Sequence, residues 1–217
     1  MREQTLSQAW YLRNQDQPDA RIATRADRIR LVDILTSAFA GDPLVEHITG
    51  TGPGRDNSRR AIFTTEVDRY LAFEKTFLSS NGAGAATWAH SSQRGYSWWQ
   101  QPMALLGSVR FSGLLGVRRA VAAYRAVEAN HPTEPHYYLA SIGVQPDAKS
   151  TGAGSQLIRT MLRRADAEGV PTYLECSKAE NVGFYERLGY DVRSRFSFGP
   201  GGPPVAGMWR SARLQLP

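Results

Sequence analysis

The sequence predicts an α/β fold, and three features carry that expectation. A strand, polar turn, helix and second strand follow one another over 137–176. An Asn81-Gly82 pair sits between two extended apolar segments, a favoured hairpin turn. Near the end, YDVRSRFSF and VAGMWRS read as two strands joined across the loop GPGGPP. Helix-period segments lie before and between these strands.

In chain order, the polar residues 1–19 with Pro18 are expected to form a loosely packed extension, and 20–217 a single domain. ARIAT at 20–24 reads as a short first strand, and Thr24 with Asp27 makes a capping box for the helix that follows. In that helix Leu31, Val32, Leu35, Ala38 and Phe39 recur at helical spacing, and Gly41 is placed to end it. FAGDPLVEHI reads as a turn and a short helix, 49–57 as a loop, and 58–75 as a further amphipathic helix. After the hairpin, 96–106 mixes aromatic and apolar residues with glutamines without a clean period. The spacing from 110 to 130 predicts a helix running through Gly113 and Gly116.

HPTEP at 131–135 separates that helix from a central strand at 137–144, and Pro146 suits the turn after it. Over 155–167, Leu157, Ile158, Met161, Leu162 and Ala165 share one helix face while Arg159, Arg163, Arg164 and Asp166 share the other. Gly169 closes this helix; VPTYLEC is the next strand, and 179–188 a short helix before Gly189.

At 217 residues, 41% hydrophobic and 21% charged, the chain holds enough apolar material for one core. A net charge of +6 suits a phosphate-bearing ligand without indicating DNA or RNA. The lone Cys176 excludes an intrachain disulfide and a multi-thiolate metal site. His47, His90, His131 and His136 form no compact ligand pattern, so no metal is assigned. No apolar run reaches spanning length, and the opening residues lack a secretory apolar block, so a soluble cytoplasmic protein is expected.

The most informative interval is IGVQPDAKSTGAGSQL. Gly152 and Gly154 permit close backbone approach, and N–H groups freed at a helix start bind phosphate oxygens with the helix dipole behind them. The interval lacks both the G-x-G-x-x-G pattern and the Gly-Lys-Ser/Thr ending of a P-loop.

Residues 137–190 resemble the coenzyme A-binding half of the GNAT acyltransferases, in particular puromycin N-acetyltransferase-like members. The resemblance rests on the strand ending Ile142-Gly143-Val144, the turn Lys149-Ser150-Thr151-Gly152-Ala153-Gly154 running into Ser155, Glu175 in the next strand, and Asn181-Val182-Gly183-Phe184-Tyr185-Glu186. Weaker similarity extends over 22–42, 82–88 and Met208-Trp209-Arg210. It implies a GNAT-like mixed, splayed β-sheet flanked by helices, with acetyl-coenzyme A as cosubstrate. By that resemblance Ile142, Gly143 and Val144 supply main-chain contacts to the pantetheine arm. Lys149, Ser150, Thr151, Gly152, Ala153, Gly154 and Ser155 hold the diphosphate, joined by Asn181 and Tyr185 as cofactor contacts. The family usually has Gln or Arg at Lys149, and often Gly-Arg at Ser150-Thr151, so one permissive residue and one basic contact are replaced here.

Acyl transfer needs a neutral amine, a stabilised oxyanion and a proton for the departing thiolate. The resemblance places Tyr185 as proton donor, with ring packing the alternative. Glu175 is the general-base candidate, with a salt bridge or solvent-facing strand end the alternative; Glu186 suits a helix-end ion pair. His136 is read as a core hydrogen-bonding residue, Lys178 as surface charge unless its loop turns inward, and a Cys176 acyl-enzyme as a minor alternative. Trp88, Tyr96, Trp98, Trp99, Phe111, Tyr124 and Tyr138 are candidates for an acceptor wall or for the core. The implied activity is acetyl transfer to a small amine, with antibiotics and specialised metabolites among the acceptors. The alternatives are a coenzyme A-binding module with lost or altered transfer chemistry and, more weakly, a basic nucleic-acid-binding protein.

Overall fold

The computed structural model describes residues 20–50, 52–93 and 102–213, with 102–112 described by backbone alone. The extension expected over 1–19 and the side chains of Tyr96, Trp98, Trp99 and Phe111 lie outside the described residues.

Among the described residues, seven strands form one sheet in the order β1-β2-β3-β4-β5-β7-β6. They are β1 (Ala20–Ile22), β2 (Thr76–Ser79), β3 (Gly84–His90), β4 (Tyr137–Val144), β5 (Thr172–Cys176), β6 (Asp191–Ser197) and β7 (Pro204–Arg210). Every neighbouring pair is antiparallel except β4 with β5. A parallel pair needs a crossover, which here is a helix. The mixed sheet expected from the sequence is the one observed. Asn81 closes the β2–β3 hairpin, its Oδ1 accepting from Ala83 N–H at 3.0 Å beside Gly82 at φ +65.

The helices are α1 (Arg28–Ala38), α2 (Pro43–Thr49), α3 (Arg55–Leu71), α4 (Pro102–Asn130), α5 (Ala153–Glu168) and α6 (Val182–Glu186). The Thr24–Asp27 capping box is formed, opening a short 3₁₀ turn that leads into α1. Two positions depart from the sequence reading. The helix expected over 58–75 is Arg55–Leu71, followed by a turn with Glu74 at φ +53. The expected continuous helix over 110–130 belongs to a longer segment broken at Gly113, whose φ of 65 and ψ of −179 lie outside helical space.

The sheet separates two apolar layers. On one face Leu157, Ile158, Met161, Leu162 and Ala165 of α5 pack with Leu139, Leu174, Tyr185, Tyr190 and Met208. On the other, Leu31 and Leu35 of α1 and Phe63 and Val67 of α3 pack with Leu78 and Ala85. Burying each such large side chain contributes about 1.5–3 kcal/mol, so the stripe legible in α5 is what holds the crossover to the sheet. Trp88, a candidate for the wall or the core, is fully buried in the α5-side core.

Two features of β4 create the site. Thr87 pairs with Ser141 but Trp88 pairs with Leu139, so Ala140 is an extra, bulged residue. Pairing of β4 to β5 covers only Tyr137, Tyr138 and Leu139 against Thr172, Tyr173 and Leu174. Beyond Leu139 the two strands part.

Candidate active site

The parting of β4 from β5 opens a cleft, and the hydrogen-bond phase of β4 decides which groups face it. Gln145 N–H donates to Ala83 O at 2.8 Å. Because antiparallel bonding alternates along the strand, Gly143 then turns its amide and carbonyl to Ala85, while those of Ile142 and Val144 point to the β5 side. Gly143 serves a different need: a Cβ there would lie 2.5 Å from Ala38 Cβ, so its bare Cα lets α1 close onto β4. A cavity of about 110 Å³ fills the gap, lined by Ile142, Leu174, Cys176, Lys178, Asn181 and Tyr185 among others. Lys178, half-buried, borders this cavity.

Below the cleft, the turn 149–152 feeds the N-terminus of α5. No side chain caps this helix start, so the amides of its first turn are presented without a competing protein oxygen at the cap. Gly152 holds φ +86 and Ser150 φ +65, the latter an unusual conformation for a residue with a Cβ. Thr151 Oγ1 donates to Ala148 O at 2.8 Å and braces the bend. Lys149, Ser150 and Thr151 are exposed, as ligand-facing residues of such a turn need to be.

A second cavity of about 630 Å³ lies on the α1/α3 face of the sheet, walled by Phe39, Ile62, Tyr70, Tyr124, Val127 and Tyr138 among others. Of the aromatics named from the sequence, Tyr124 and Tyr138 line this cavity. The two cavities share Phe39, Asp42, Ala140, Ser141, Glu175 and Ser177, so they join beside the Ala140 bulge. Glu175 stands at this junction with its side chain 5% exposed, and Oε1 lies 3.2 Å from His131 Nδ1. His131 in turn meets buried His136, Nε2 to Nε2, at 2.9 Å.

Tyr185 is buried beside the smaller cavity, and burial, reinforced by Cys176, Tyr190 and Asp42, pushes its phenol well above the ordinary tyrosine value. It keeps its proton across the physiological range. Burial also pushes the Cys176 thiol up to about 11, and its Sγ donates to Lys178 O at 3.1 Å. A neutral thiol is a poor nucleophile, which removes the physical basis for a Cys-centred acyl-enzyme. Glu186 is exposed and outside both cavities.

Of the carboxylates at the site that were not singled out from the sequence, Asp42 and Glu66 are the most closely tied into it. Asp42, 3% exposed, caps α2 by accepting from Leu44 and Val45 N–H, and its Oδ2 accepts from Ser177 Oγ at 2.7 Å. Its visible signal was an Asp-Pro helix start, which says nothing of a contact 135 residues away. Glu66 of α3 lines the larger cavity and accepts from Thr87 Oγ1 at 2.8 Å. Burial pushes its carboxyl up, against hydrogen bonds from Thr87 and Ser141 and the Arg69 charge. A Glu on the apolar stripe of Phe63, Val67 and Tyr70 was the available signal. Among the described residues, no group of three or more His, Cys, Asp or Glu side chains is arranged to hold a metal, and no helix is long and apolar enough to cross a membrane.

Solved structures share this fold. A Corynebacterium glutamicum protein described as histone acetyltransferase HPA2 and related acetyltransferase superposes with a TM-score of 0.66 at 24% identity, over 91% of this chain and 98% of that one. A Drosophila melanogaster polyamine N-acetyltransferase that forms N-acetylagmatine gives 0.62 at 15% identity, covering 88% and 98%. Arylalkylamine N-acetyltransferase 2 from Aedes aegypti gives 0.59 at 13%, covering 89% and 98%. The architecture is thus that of the acetyltransferases. Residues 72–190 match the acetyltransferase (GNAT) family, and the chain belongs to it.

Proposed function

We propose that this chain is an acetyl-coenzyme A-dependent N-acetyltransferase acting on a small amine. The observation that carries the reading is the meeting of two cavities at Glu175, a narrow one along the splayed edge of β4 and a wide one over the opposite layer. The chain's residues fit the cofactor. Main-chain groups of Ile142 and Val144 face the cleft, and the uncapped start of α5 offers N–H donors to a diphosphate, with Lys149 as nearby positive charge. Asn181 and Tyr185 close the other wall. When bound, acetyl-coenzyme A supplies the acetyl group as a thioester.

The wide cavity suits a cationic, partly apolar acceptor. Asp42, Glu66, Glu128 and Glu175 outnumber Arg60 and Arg69 on its walls. Glu175 is placed to take a proton from the acceptor ammonium, and Tyr185 holds the proton a departing thiolate needs. Two proteins of the same fold are named for polyamine and arylalkylamine substrates, which agrees with an amine acceptor. An antibiotic or specialised-metabolite amine, in line with the puromycin N-acetyltransferase-like arrangement of residues 137–190, is the finer form of this reading.

Calorimetry with acetyl-coenzyme A tests the cofactor half. Wild type should bind, and Gly152→Val and Gly154→Val should weaken binding while circular dichroism stays unchanged. A folded wild type that binds nothing, or two variants of unaltered affinity, would refute the placement. Thiol release across an amine panel then tests transfer.

A further inference from the structure

We propose that Glu175, His131 and His136 form one proton-accepting chain, in which the two histidines are positioning residues that take up the proton Glu175 removes from the acceptor ammonium. This inference rests on the transferase reading above.

One atom fixes the hydrogen-bonding pattern. Glu134 O, a carbonyl, only accepts, so His136 Nδ1, 2.7 Å away, carries a hydrogen. His136 Nε2 faces His131 Nε2 at 2.9 Å, and His131 Nδ1 faces Glu175 Oε1 at 3.2 Å. With Glu175 ionised and both imidazoles neutral, one hydrogen on His131 must serve two junctions. Placed on Nε2, it leaves the Nδ1 lone pair against a carboxylate; placed on Nδ1, it leaves two ring lone pairs face to face.

One added proton removes the conflict. It satisfies every junction whether it resides on Glu175 Oε1, on His131 or on His136, and it moves between these sites without displacement of a heavy atom. In the reaction, the acceptor N–H bond breaks and a Glu175 O–H bond forms. That proton passes to His131 Nδ1 as the His131 Nε2 hydrogen passes to His136 Nε2, leaving Glu175 ionised and His136 an imidazolium. After the product leaves, the proton returns by the same route to water entering the cavity.

The surroundings hold the chain in place. The ring edges of Tyr138 on β4 and Tyr173 on β5 meet His131 at centroid distances of 5.2 and 4.9 Å. Trp209 on β7 lies 5.6 Å from His136, and Arg193 on β6 stacks on Trp209 while pairing with Glu134. Glu128 on α4 and Asp42 share the larger cavity's wall with Glu175.

The first test needs no acceptor. Nitrogen-15 and carbon-13 NMR of the full-length, ligand-free protein should show Glu175, His131 and His136 titrating over one shared pH interval, with the changes summing to a single proton. Glu175→Gln should abolish that joint step, because its amide donates to His131 Nδ1. Independent titrations unaffected by Glu175→Gln would overturn the proposal. The second test compares tyramine, a basic amine, with methoxyamine, which is already neutral at neutral pH. His131→Phe and His136→Phe should lower kcat/KM for tyramine by about tenfold or more while leaving methoxyamine within about threefold. An equal fall for both acceptors would overturn the relay while sparing the transferase reading. A wild type that acetylates no amine refutes the transferase reading instead, and the NMR result still decides whether the proton chain exists.

Discussion

Replacing Gly143 by alanine asks whether the close seating of α1 on β4 is a requirement of the site. The added Cβ would sit 2.5 Å from Ala38 Cβ, 3.3 Å from Leu35 Cδ2 and 3.7 Å from Phe39 Cε2. Carbon contacts are comfortable at about 3.5–4.0 Å, so α1 must lift by roughly 1 Å. Ala38 has no rotamer with which to yield, and Leu35 is fully buried. Overpacking of this kind costs about 1–3 kcal/mol. For a domain of this size, each kcal/mol corresponds to about 2–4 °C in Tm, so the melting point should fall by about 2–12 °C. The displacement also reaches the chemistry, since Phe39 and Asp42 at the end of α1 stand where the cavities join. A misplacement of about 1 Å can reduce rate about a hundredfold. The assay pairs urea unfolding with acetyl-transfer rates, using Gly154→Ala as a stability control because its Cβ meets only Val144, at an ordinary 3.7 Å. A Gly143→Ala protein with wild-type stability would refute the requirement for a bare Cα at this crossing.

Tyr185→Phe keeps the ring against Phe184 and Tyr190 but removes the phenol. Single-turnover transfer should fall about a hundredfold while acetyl-coenzyme A affinity changes little; equal losses in rate and affinity would instead indicate a packing or positioning role. Burial raises the Glu66 carboxyl above its unfolded value, so ionising it in the fold costs stability as pH rises from the unfolded range through the folded value. Glu66→Gln, neutral throughout, should therefore melt higher than wild type near pH 7–8 and converge with it in acid; a gap independent of pH would refute this. Ser150 holds φ +65, a conformation costing about 1–2 kcal/mol for an L-residue, while a glycine's unfolded freedom offsets about 0.4–1 kcal/mol of the relief. Ser150→Gly should thus leave stability equal or raise it by up to about 1.6 kcal/mol in urea titration, and a clear loss would show that the serine side chain holds the turn.

Local signals in this sequence were reliable wherever structure depends on neighbours in the chain. The Thr24–Asp27 box, the Asn81-Gly82 turn, the stripe of α5 and the αL glycine at 169 all act within one or two turns of backbone, and each is present. Gly113 shows the limit, because helix propensity is a weak prior and a single φ choice breaks the segment. The site was less legible for a related reason. His131 lies in a proline-rich loop and Glu175 on a strand 44 residues on, and only the fold brings them within 3.2 Å. Asp42 looked like an ordinary helix cap because it is one; its second oxygen and its place between two cavities follow from tertiary packing.

The bulge at Ala140 shows why one extra residue organises the whole site. With strict alternation, Tyr138, Ala140, Ile142 and Val144 would share a face, and Leu139, Ser141 and Gly143 the other. Ser141 would then bring its hydroxyl to the apolar α5 layer, while Ile142 and Val144 would face α1, where the structure has no room for even a Cβ at position 143. Inserting Ala140 reverses the alternation once. Ser141 joins Tyr138 and Ala140 on the cavity wall, Ile142 packs beside Leu139 on the α5 side, and Val144 approaches Gly154 there. The wall of the larger cavity and the core therefore each stay chemically continuous across the point where β4 leaves β5. The same reversal sets the hydrogen-bond phase that turns the amides of Ile142 and Val144 to the open edge, so the local insertion that shapes the larger cavity also exposes the backbone at the edge where we propose the cofactor binds.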